Sequence, residues 1–165
     1  MTLRPPPLRR QVTVDALADE AQALLEDGYR LALAAAHDDR PELRVVYLFT
    51  RGTDDTLVEL TLPVPVARPT IPTLASISFP ASRFEREMHD LFGIVPDGHP
   101  LPRRLVRHDH WPRGWYPLRH DAGAAPEFTD ASQYPFLTVD GPGVFEIPVG
   151  PVHAGLIEPG HFRFS

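Results

Sequence analysis

Two histidines separated by one residue, His108 and His110, are the side chains that first suggest chemistry in this sequence. Neutral imidazole is the commonest metal ligand in proteins, and Asp109 between them adds a carboxylate. A catalytic zinc site needs three protein ligands held at fixed geometry, and this short loop pattern supplies them poorly. The arginines near these histidines also oppose a bound cation. The pattern favours structural or interface roles, and a small histidine-metal hydrolase is the more distant alternative.

Three carboxylates, Glu85, Glu87 and Asp90, could in principle supply an acid–base pair. On a helix Glu85 and Glu87 lie on different faces, and Arg83 and Arg86 are close enough to neutralise them. The pattern therefore favours an exposed helix surface with the ion pairs Arg83–Glu87 and Arg86–Asp90. The sequence contains no nucleophile elbow, phosphate-binding loop or dinucleotide fingerprint. We predict no catalytic, cofactor-binding or metal-binding residue in this chain.

A basic segment follows these carboxylates. Between residues 99 and 121 the charged side chains are Arg103, Arg104, Arg107, Arg113 and Arg119 against Asp109 and Asp121. Trp111 and Trp115 lie among the arginines, and such residues dominate protein–protein hot spots as well as single-stranded nucleic-acid sites. The whole chain has a net charge of −6, which disfavours nucleic acid as a partner. The segment is therefore predicted to be a protein interface.

The helix that would position these groups has a start and an end in the sequence. Ser82 and Glu85 form a capping box, in which each side chain bonds the backbone N–H of the other residue. Gly93 can adopt the left-handed conformation that ends a helix. The apolar stripe between them consists of Phe84, Met88, Leu91 and Phe92. The sequence predicts a helix from Ser82 to Gly93.

The first half of the chain predicts a small scaffold for this helix. Thr13 is the expected N-cap of a first helix that ends at Gly28. The apolar positions of that helix are Val14, Leu17, Ala18, Ala21, Leu24 and Leu25. Three strands are predicted next, at residues 29–36, Leu43–Arg51 and Thr56–Val64, and in the first of them Leu31, Leu33 and Ala35 should share one face. Short connections favour an antiparallel meander. The predicted fold class is α+β, a small antiparallel sheet of about three or more strands packed with two main helices.

Composition excludes several classes of protein. With 165 residues the chain is long enough for one domain and a tail, and no run approaches the ~20 apolar residues of a membrane span. It has no cysteine, so it offers no disulfide and no thiolate for an iron–sulfur cluster or a nickel ion. Its 20 prolines cluster after Leu62 and predict an extended, proline-rich C-terminal tail.

The residues from Glu85 to Pro112 resemble the signature of the thirty-kilodalton subunit of NADH dehydrogenase, which is respiratory complex I. The motifs that carry the resemblance are Glu85-Arg86-Glu87, Asp90-Leu91-Phe92-Gly93-Ile94, His99-Pro100, Arg103-Arg104-Leu105 and Trp111-Pro112. The same domain is fused to the large subunit of formate hydrogenlyase and of related membrane-bound nickel–iron hydrogenases. The resemblance assigns signature or interface roles to Glu85, Arg86, Glu87, Asp90, Gly93, His99, Pro100, Arg103, Arg104 and Trp111.

A second resemblance lies at the C-terminal end. Residues 150–155 and 158–164 resemble the opening hairpin of the hydrogenase-like large subunit. In related large subunits this hairpin lies against the active-site cavity, which implies such a place for His153, Glu158 and His161 in a longer protein. The expected organisation is a flexible arm at 1–12, the complex I-like domain at 13–121, a linker at 122–143 and the first hairpin of a truncated large-subunit domain at 144–165.

These resemblances imply a non-catalytic scaffold that docks a catalytic large-subunit domain and iron–sulfur subunits. The nickel–iron centre and the iron–sulfur clusters would lie in the rest of the complex. The expected location is the cytoplasmic face of the inner membrane, reached through partners. At least two of Arg103, Arg104 and Arg107 would bond those partners, while others could turn inward. The alternative is a stand-alone thirty-kilodalton subunit of an NADH-quinone oxidoreductase.

Overall fold

The computed structural model describes residues 6–107, 110–128 and 141–145, together with the backbone of Val152–His153 and Leu156–Ile157. The elements in chain order are β1 (Leu8–Gln11), α1 (Leu17–Glu26), β2 (Arg30–Asp38), β3 (Leu43–Arg51), β4 (Thr56–Val64), β5 (Thr70–Pro72), α2 (Phe79–Phe92), β6 (Val95–Asp97), β7 (Val152–His153) and β8 (Leu156–Ile157). The chain divides into two compact units, Met1–Ala131 and Ser132–Ser165. Both helices and the main sheet belong to the first unit.

Four strands of the first unit form one mixed sheet in the order β1-β4-β3-β2. Strands β2, β3 and β4 form the predicted antiparallel meander, in which Tyr47 lies opposite Ala34 on one side and Leu60 on the other. Strands β3 and β4 have the predicted bounds, because polar turn residues interrupt the apolar alternation. The predicted α+β class with two main helices is confirmed, and a fourth strand is added to the sheet.

That fourth strand, β1, differs from the flexible arm expected for residues 1–12. It pairs in parallel with β4, with Gln11 opposite Thr61, and the Val12 N–H donates to the Thr61 carbonyl at 2.9 Å. All four residues of β1 are exposed, so no apolar alternation marks them in the sequence. Backbone bonds to the edge of β4 hold the strand, and a sequence pattern does not report such bonds.

The core lies between one face of the sheet and the two helices. Strands β3 and β4 alternate buried and half-buried residues, which gives the sheet one apolar face. The largest buried side chains on this face include Tyr47, Phe49, Leu60 and Leu62. The helix residues in the same cluster include Leu17, Ala21, Leu24 and Met88. Both helices contact β2, so the edge of the meander is covered on the core side.

Strand β2 contains a bulge that changes which side chains face the core. Its register with β3 shifts between Leu31 and Leu33, so Ala32 is the extra residue. As a result Leu33 is 43% exposed while Ala34 is 5% exposed. The predicted shared face of Leu31, Leu33 and Ala35 is wrong, because one inserted residue inverts the alternation of the strand.

Helix α1 begins later than the predicted cap at Thr13. Ala16 is the N-cap and no side chain bonds the first turn. The Thr13 carbonyl instead accepts the N–H groups of Ala16 and Leu17, which closes a turn ahead of the helix. Gly28 has a φ of +82° and follows the helix end as predicted. The buried positions of α1 are Leu17, Ala21 and Leu24.

Helix α2 begins about one turn before Ser82, the predicted start. Ser78 is the N-cap without a side-chain bond, and Pro80 lies in the first turn, where its missing N–H leaves no bond unmade. The predicted end is confirmed, since Gly93 has a φ of +75°. With 14 residues α2 is the longer helix. Of the helices in the described part of the chain, neither has the length and apolar content needed to cross a bilayer.

In the second unit β7 and β8 pair in antiparallel register. His153 lies opposite Leu156, so two residues connect the strands. The two strands therefore form a hairpin within residues 144–165, and its assignment to a large-subunit domain stays a prediction. Glu158 and His161, which the sequence assigns to the same hairpin, lie outside the described residues.

Candidate functional site

Glu85 lies on the side of α2 that faces the core and is fully buried. One of its carboxylate oxygens accepts the Leu74 N–H at 2.6 Å, and the other accepts the Thr73 hydroxyl at 2.5 Å. These bonds fix the segment before α2 against the helix. Burial raises the pKa of the Glu85 carboxyl. The predicted capping box with Ser82 is wrong, because the helix starts earlier and the carboxylate is bonded to residues that precede it.

His99 is also buried, and its bonds identify its tautomer. Its Nδ1 accepts the Leu101 N–H at 2.9 Å, so Nδ1 carries no proton. The proton of a neutral ring is then on Nε2, which donates to the Ser82 carbonyl at 3.2 Å. The same Nε2 is 3.9 Å from a Glu85 oxygen, but a neutral ring makes no ion pair there. His99 thus connects the turn after β6 to the first half of α2.

Arg86 and Asp90 bind one loop, residues 103–107, which we call the clasped loop. Arg86 Nε donates to the Arg103 carbonyl at 2.7 Å and Nη2 donates to the Arg104 carbonyl at 2.8 Å. Asp90 Oδ2 accepts the N–H groups of Leu105, Val106 and Arg107, at 2.8, 2.8 and 3.1 Å in that order. Both charged side chains are buried. The predicted exposed surface of α2 is therefore wrong at these positions, because the clasped loop covers them.

Arg104 and Arg107 turn inward and hold the next segment of the chain. Arg104 Nη1 donates to the Trp111 carbonyl at 2.9 Å. Arg107 donates to the Pro112 carbonyl at 3.0 Å and, from its other terminal nitrogen, to the Trp115 carbonyl. These contacts lie within this chain. Arg104 and Arg107 therefore turn inward, which is one of the two alternatives that the sequence left open.

An aromatic cluster stabilises the segment that Arg104 and Arg107 hold. The rings of Trp111 and Trp115 stack with centroids 5.8 Å apart, and Phe128 meets Trp111 edge-on at 4.9 Å. Trp115 Nε1 donates to the Ala122 carbonyl at 3.0 Å. The start of the stretch interpreted as a linker, 122–143, is therefore packed within the first unit.

A surface cavity of about 350 Å³ opens beside α2 and the clasped loop. We call it the cationic cavity, because arginines dominate its charged lining. The charged and titratable side chains of its wall, among the described residues, are His89, Asp90, Arg103, Arg104, Arg107, Arg113 and Tyr116. Burial lowers the pKa of His89.

The structure divides the signature residues into buried and exposed sets. Glu85, Arg86, Asp90, Gly93 and His99 are buried, Arg104 and Trp111 are half-buried, and Glu87, Pro100 and Arg103 are exposed. The buried set bonds or packs within this domain, so an interface role remains a prediction for the exposed and half-buried sets. His108 and Asp109 lie outside the described residues. Within the described ranges no group of three or more His, Cys, Asp or Glu side chains could hold a metal ion.

Sequence reasoning missed two residues of this region, Thr73 and Tyr116. Thr73 bonds Glu85, and the Tyr116 ring lies 2.6 Å from the point where a Cβ on Gly93 would be. Gly93 therefore provides both the left-handed cap and the space for an aromatic ring. No local pattern marks either contact, because the partners are 12 and 23 residues apart in the chain.

Comparison with known proteins identifies the family. Residues 10–127 match the family model described as the 30 Kd subunit of the respiratory-chain NADH dehydrogenase. The chain belongs to this family. The resemblance seen in residues 85–112 is thereby confirmed.

Curated relatives of this family member fall into hydrogenase and quinone oxidoreductase groups. Hydrogenase-4 component G of Escherichia coli (strain K12) is 47% identical over 83 residues, which is 48% of this chain and 15% of that protein. Formate hydrogenlyase subunit 5 of the same organism is 45% identical over 85 residues, with the same two shares. NAD(P)H-quinone oxidoreductase subunit J of Synechococcus sp. (strain WH7803) is 34% identical over 125 residues, 67% of this chain and 68% of that protein. The chain thus spans only a small part of the two E. coli relatives.

Solved structures agree with the family assignment. The trypsin-resistant fragment (1-134) of Nqo5 superposes with a TM-score of 0.52 and 28% identity, covering 56% of this chain and 80% of that one. The membrane-bound sulfane sulfur reductase, an archaeal respiratory membrane complex, gives a TM-score of 0.62 at 24% identity, covering 73% and 74%. At 24% identity, the likeness to the sulfane sulfur reductase complex shows a shared fold and nothing more.

Proposed function

We propose that this chain is a non-catalytic scaffold domain of a membrane-associated oxidoreductase complex of the complex I or formate hydrogenlyase type. In that complex it docks the catalytic large subunit and the iron–sulfur subunits. The observation that supports this role is where the buried charged side chains of α2 make their hydrogen bonds. Glu85, Arg86 and Asp90 direct their bonds to backbone and hydroxyl groups of this same domain, and two of them, Arg86 and Asp90, thereby order the clasped loop.

The clasped loop presents a surface suited to docking. The side chains of Leu105 and Val106 are exposed, while their N–H groups are held by Asp90. Adjacent apolar side chains on an ordered loop lose little conformational entropy on binding and gain from burial. The surface of a partner protein would cover them, as expected for one subunit among several.

The redox groups of such a complex would lie in other subunits or domains. This chain has no cysteine, so it offers no thiolate ligand to an iron–sulfur cluster or a nickel–iron centre. Its contribution would be to hold neighbouring subunits in register. The proposed location is peripheral, on the cytoplasmic face of the membrane, through those subunits.

The hydrogenase type is favoured by the two E. coli relatives, which share 47% and 45% identity with this chain. The pairing of β7 with β8 also supports this type, because it forms a hairpin in the part of the chain that resembles the large subunit. The alternative, a stand-alone thirty-kilodalton subunit of a quinone oxidoreductase, is favoured by the 68% of the Synechococcus relative that aligns.

The test is purification of the chain from its native host with an affinity tag at its own locus. Membranes are solubilised in mild detergent, and the co-purifying proteins are identified by mass spectrometry. We expect a catalytic large subunit and iron–sulfur subunits in constant ratio to the chain. Recovery of the chain alone, with oxidoreductase turnover of its own, would contradict the proposal.

A matched pair of variants locates the docking surface. Leu105→Ser with Val106→Ser should reduce recovery of the partners about tenfold, because apolar contacts on an ordered loop are lost. Leu33→Ser, an equally exposed apolar position on strand β2, should leave recovery unchanged. Equal losses of partner recovery in the two variants would mean that the clasped loop is not part of the docking surface.

A further inference from the structure

Among the described residues, the cationic cavity combines four guanidinium groups with one carboxylate, and that carboxylate already accepts hydrogen bonds. Asp90 Oδ2 accepts the three N–H groups of the clasped loop, and Asp90 Oδ1 lies 4.0 Å from Nδ1 of His89. The carboxylate therefore stabilises the loop backbone. The wall of the cavity keeps an excess of positive charge over negative charge.

Arg107 is the most constrained of the four arginines. It is 4% exposed, and its Nε is buried with no hydrogen-bond partner among the described residues. Burial, and after it the charge of Arg104, lowers the pKa of this guanidinium. A buried cation beside a second cation is costly unless an anion approaches. An anion in the cavity would offset that repulsion.

Arg103 and Arg113 are the exposed arginines of the same wall. Neither side chain forms an ion pair with another described residue. A guanidinium group presents its donors in a planar fork that matches the two oxygens of a carboxylate or phosphate. The cavity therefore has the charge and the donor geometry of an oxyanion site.

We propose that the cationic cavity binds an oxyanion, namely a carboxylate carried by an acidic segment of a partner subunit. Leu105 and Val106 support a polypeptide source, because they are chain neighbours of lining arginines and expose apolar side chains. A small free anion would leave these side chains in water, whereas a polypeptide would cover them. This inference rests on the proposed docking function and names the chemistry of the docked segment.

The test is an NMR titration of the full-length, ¹⁵N-labelled chain with three probes. The first is a capped peptide in which two adjacent glutamates are flanked by leucines. The second is the same peptide with glutamines, and the third is inorganic phosphate. We expect the glutamate peptide to shift the resonances of Arg103, Arg113 and Gly114, with an affinity at least about tenfold above that of the glutamine peptide. The affinity should fall with added salt, since the cavity is open to solvent.

Two variants make the test specific to the cavity. Arg103→Gln with Arg113→Gln should weaken binding of the glutamate peptide about tenfold or more without unfolding the chain, because both side chains are exposed. Arg68→Gln, an exposed arginine outside the cavity, should leave binding unchanged. Equal binding of the two peptides, phosphate binding without peptide binding, or no response to any probe would each overturn the proposal.

The outcome is separable from that of the docking function. If the Arg103→Gln, Arg113→Gln chain still co-purifies its partners from native membranes, docking stands and the cavity is not its point of contact. If the wild-type chain purifies without partners while the glutamate peptide binds as expected, the cavity stands as an acidic-peptide site and the docking function fails.

Discussion

Arg86 and Asp90, one helical turn apart on α2, bind opposite polar groups of the same loop. Arg86 donates to the carbonyls of Arg103 and Arg104, and Asp90 accepts the N–H groups of the three residues that follow. The cation holds loop carbonyls and the anion holds loop N–H groups. These backbone groups therefore have partners even though the loop belongs to no helix or sheet. The helix thereby fixes both the position and the direction of an irregular segment.

Replacement of Arg86 tests this arrangement. Arg86→Ala should lower the free energy of unfolding by about 3 kcal/mol, because two charge-assisted hydrogen bonds to loop carbonyls are lost in a buried site. Glu87→Ala, at the exposed neighbouring position, should change it by less than about 0.5 kcal/mol. Urea denaturation of both variants measures the difference. Similar small losses would mean that the clasped loop contributes little to stability.

The buried Glu85 predicts a dependence of stability on pH. Burial raises the pKa of Glu85 in the folded chain, so the native state binds this proton more tightly than the unfolded state does. The free energy of unfolding should therefore fall as the pH rises through the interval between the two pKa values. Glu85→Gln cannot titrate and lacks this loss.

The measurement compares Glu85→Gln with the wild type by urea denaturation from about pH 4 to pH 7. The stability of the variant relative to the wild type should rise with pH. Glutamine can still accept the Leu74 N–H and donate to the Thr73 hydroxyl, so the site keeps its bonds. If the relative stability of the variant instead fell with pH, the hydrogen bonds from Thr73 and Leu74 would lower the pKa of Glu85 more than burial raises it.

Gly93 predicts a steric coupling with Tyr116. Gly93→Ala should destabilise the chain by about 3 kcal/mol, from the left-handed φ and from overlap with the ring 2.6 Å away. In the double variant with Tyr116→Ala the overlap term should disappear, so the losses should be clearly less than additive. Gly52→Ala is the control, since a Cβ there meets nothing within 4 Å. Additive losses would mean that the Tyr116 ring does not lie against Gly93.

Two tyrosines predict opposite effects of the same substitution. The Tyr47 hydroxyl is buried without a hydrogen-bond partner among the described residues, and burial raises its pKa. Tyr47→Phe should therefore raise the free energy of unfolding by about 1 kcal/mol. The hydroxyls of Tyr29 and Thr56 are hydrogen-bonded to each other at 3.1 Å, so Tyr29→Phe should lower it by about 0.5–1 kcal/mol. A loss at Tyr47 would indicate a buried water or other partner at that hydroxyl.

The elements that the sequence predicted well are those whose signal is local. Strands β3 and β4 have the predicted bounds, and α1 and α2 are followed by glycines with positive φ. In each case apolar alternation or a φ requirement acts over a few residues. Strand β1 had no such signal, because its residues are exposed and its backbone bonds are made with a strand 50 residues away in the chain.

The charged face of α2 shows why the site was harder to predict. Opposite charges four residues apart, such as Arg86 and Asp90, look the same in sequence whether solvent or a loop covers them. Here the bonded loop residues lie 15 to 18 residues further along, beyond the range of any helical periodicity. The family resemblance marked these residues, but it did not report that they face inward. The interface role was therefore assigned to several side chains that are buried in the domain.

The clasped loop also bears on resistance to proteolysis. Trypsin cuts after arginine and needs the chain extended in its active site, and this loop carries Arg103, Arg104 and Arg107. While Arg86 and Asp90 hold the backbone around these arginines, the bonds that follow them cannot extend into the protease. Cleavage then requires the bonds that Arg86 and Asp90 make with the loop to break. The rate of cutting at this loop would therefore measure the release of the loop from α2.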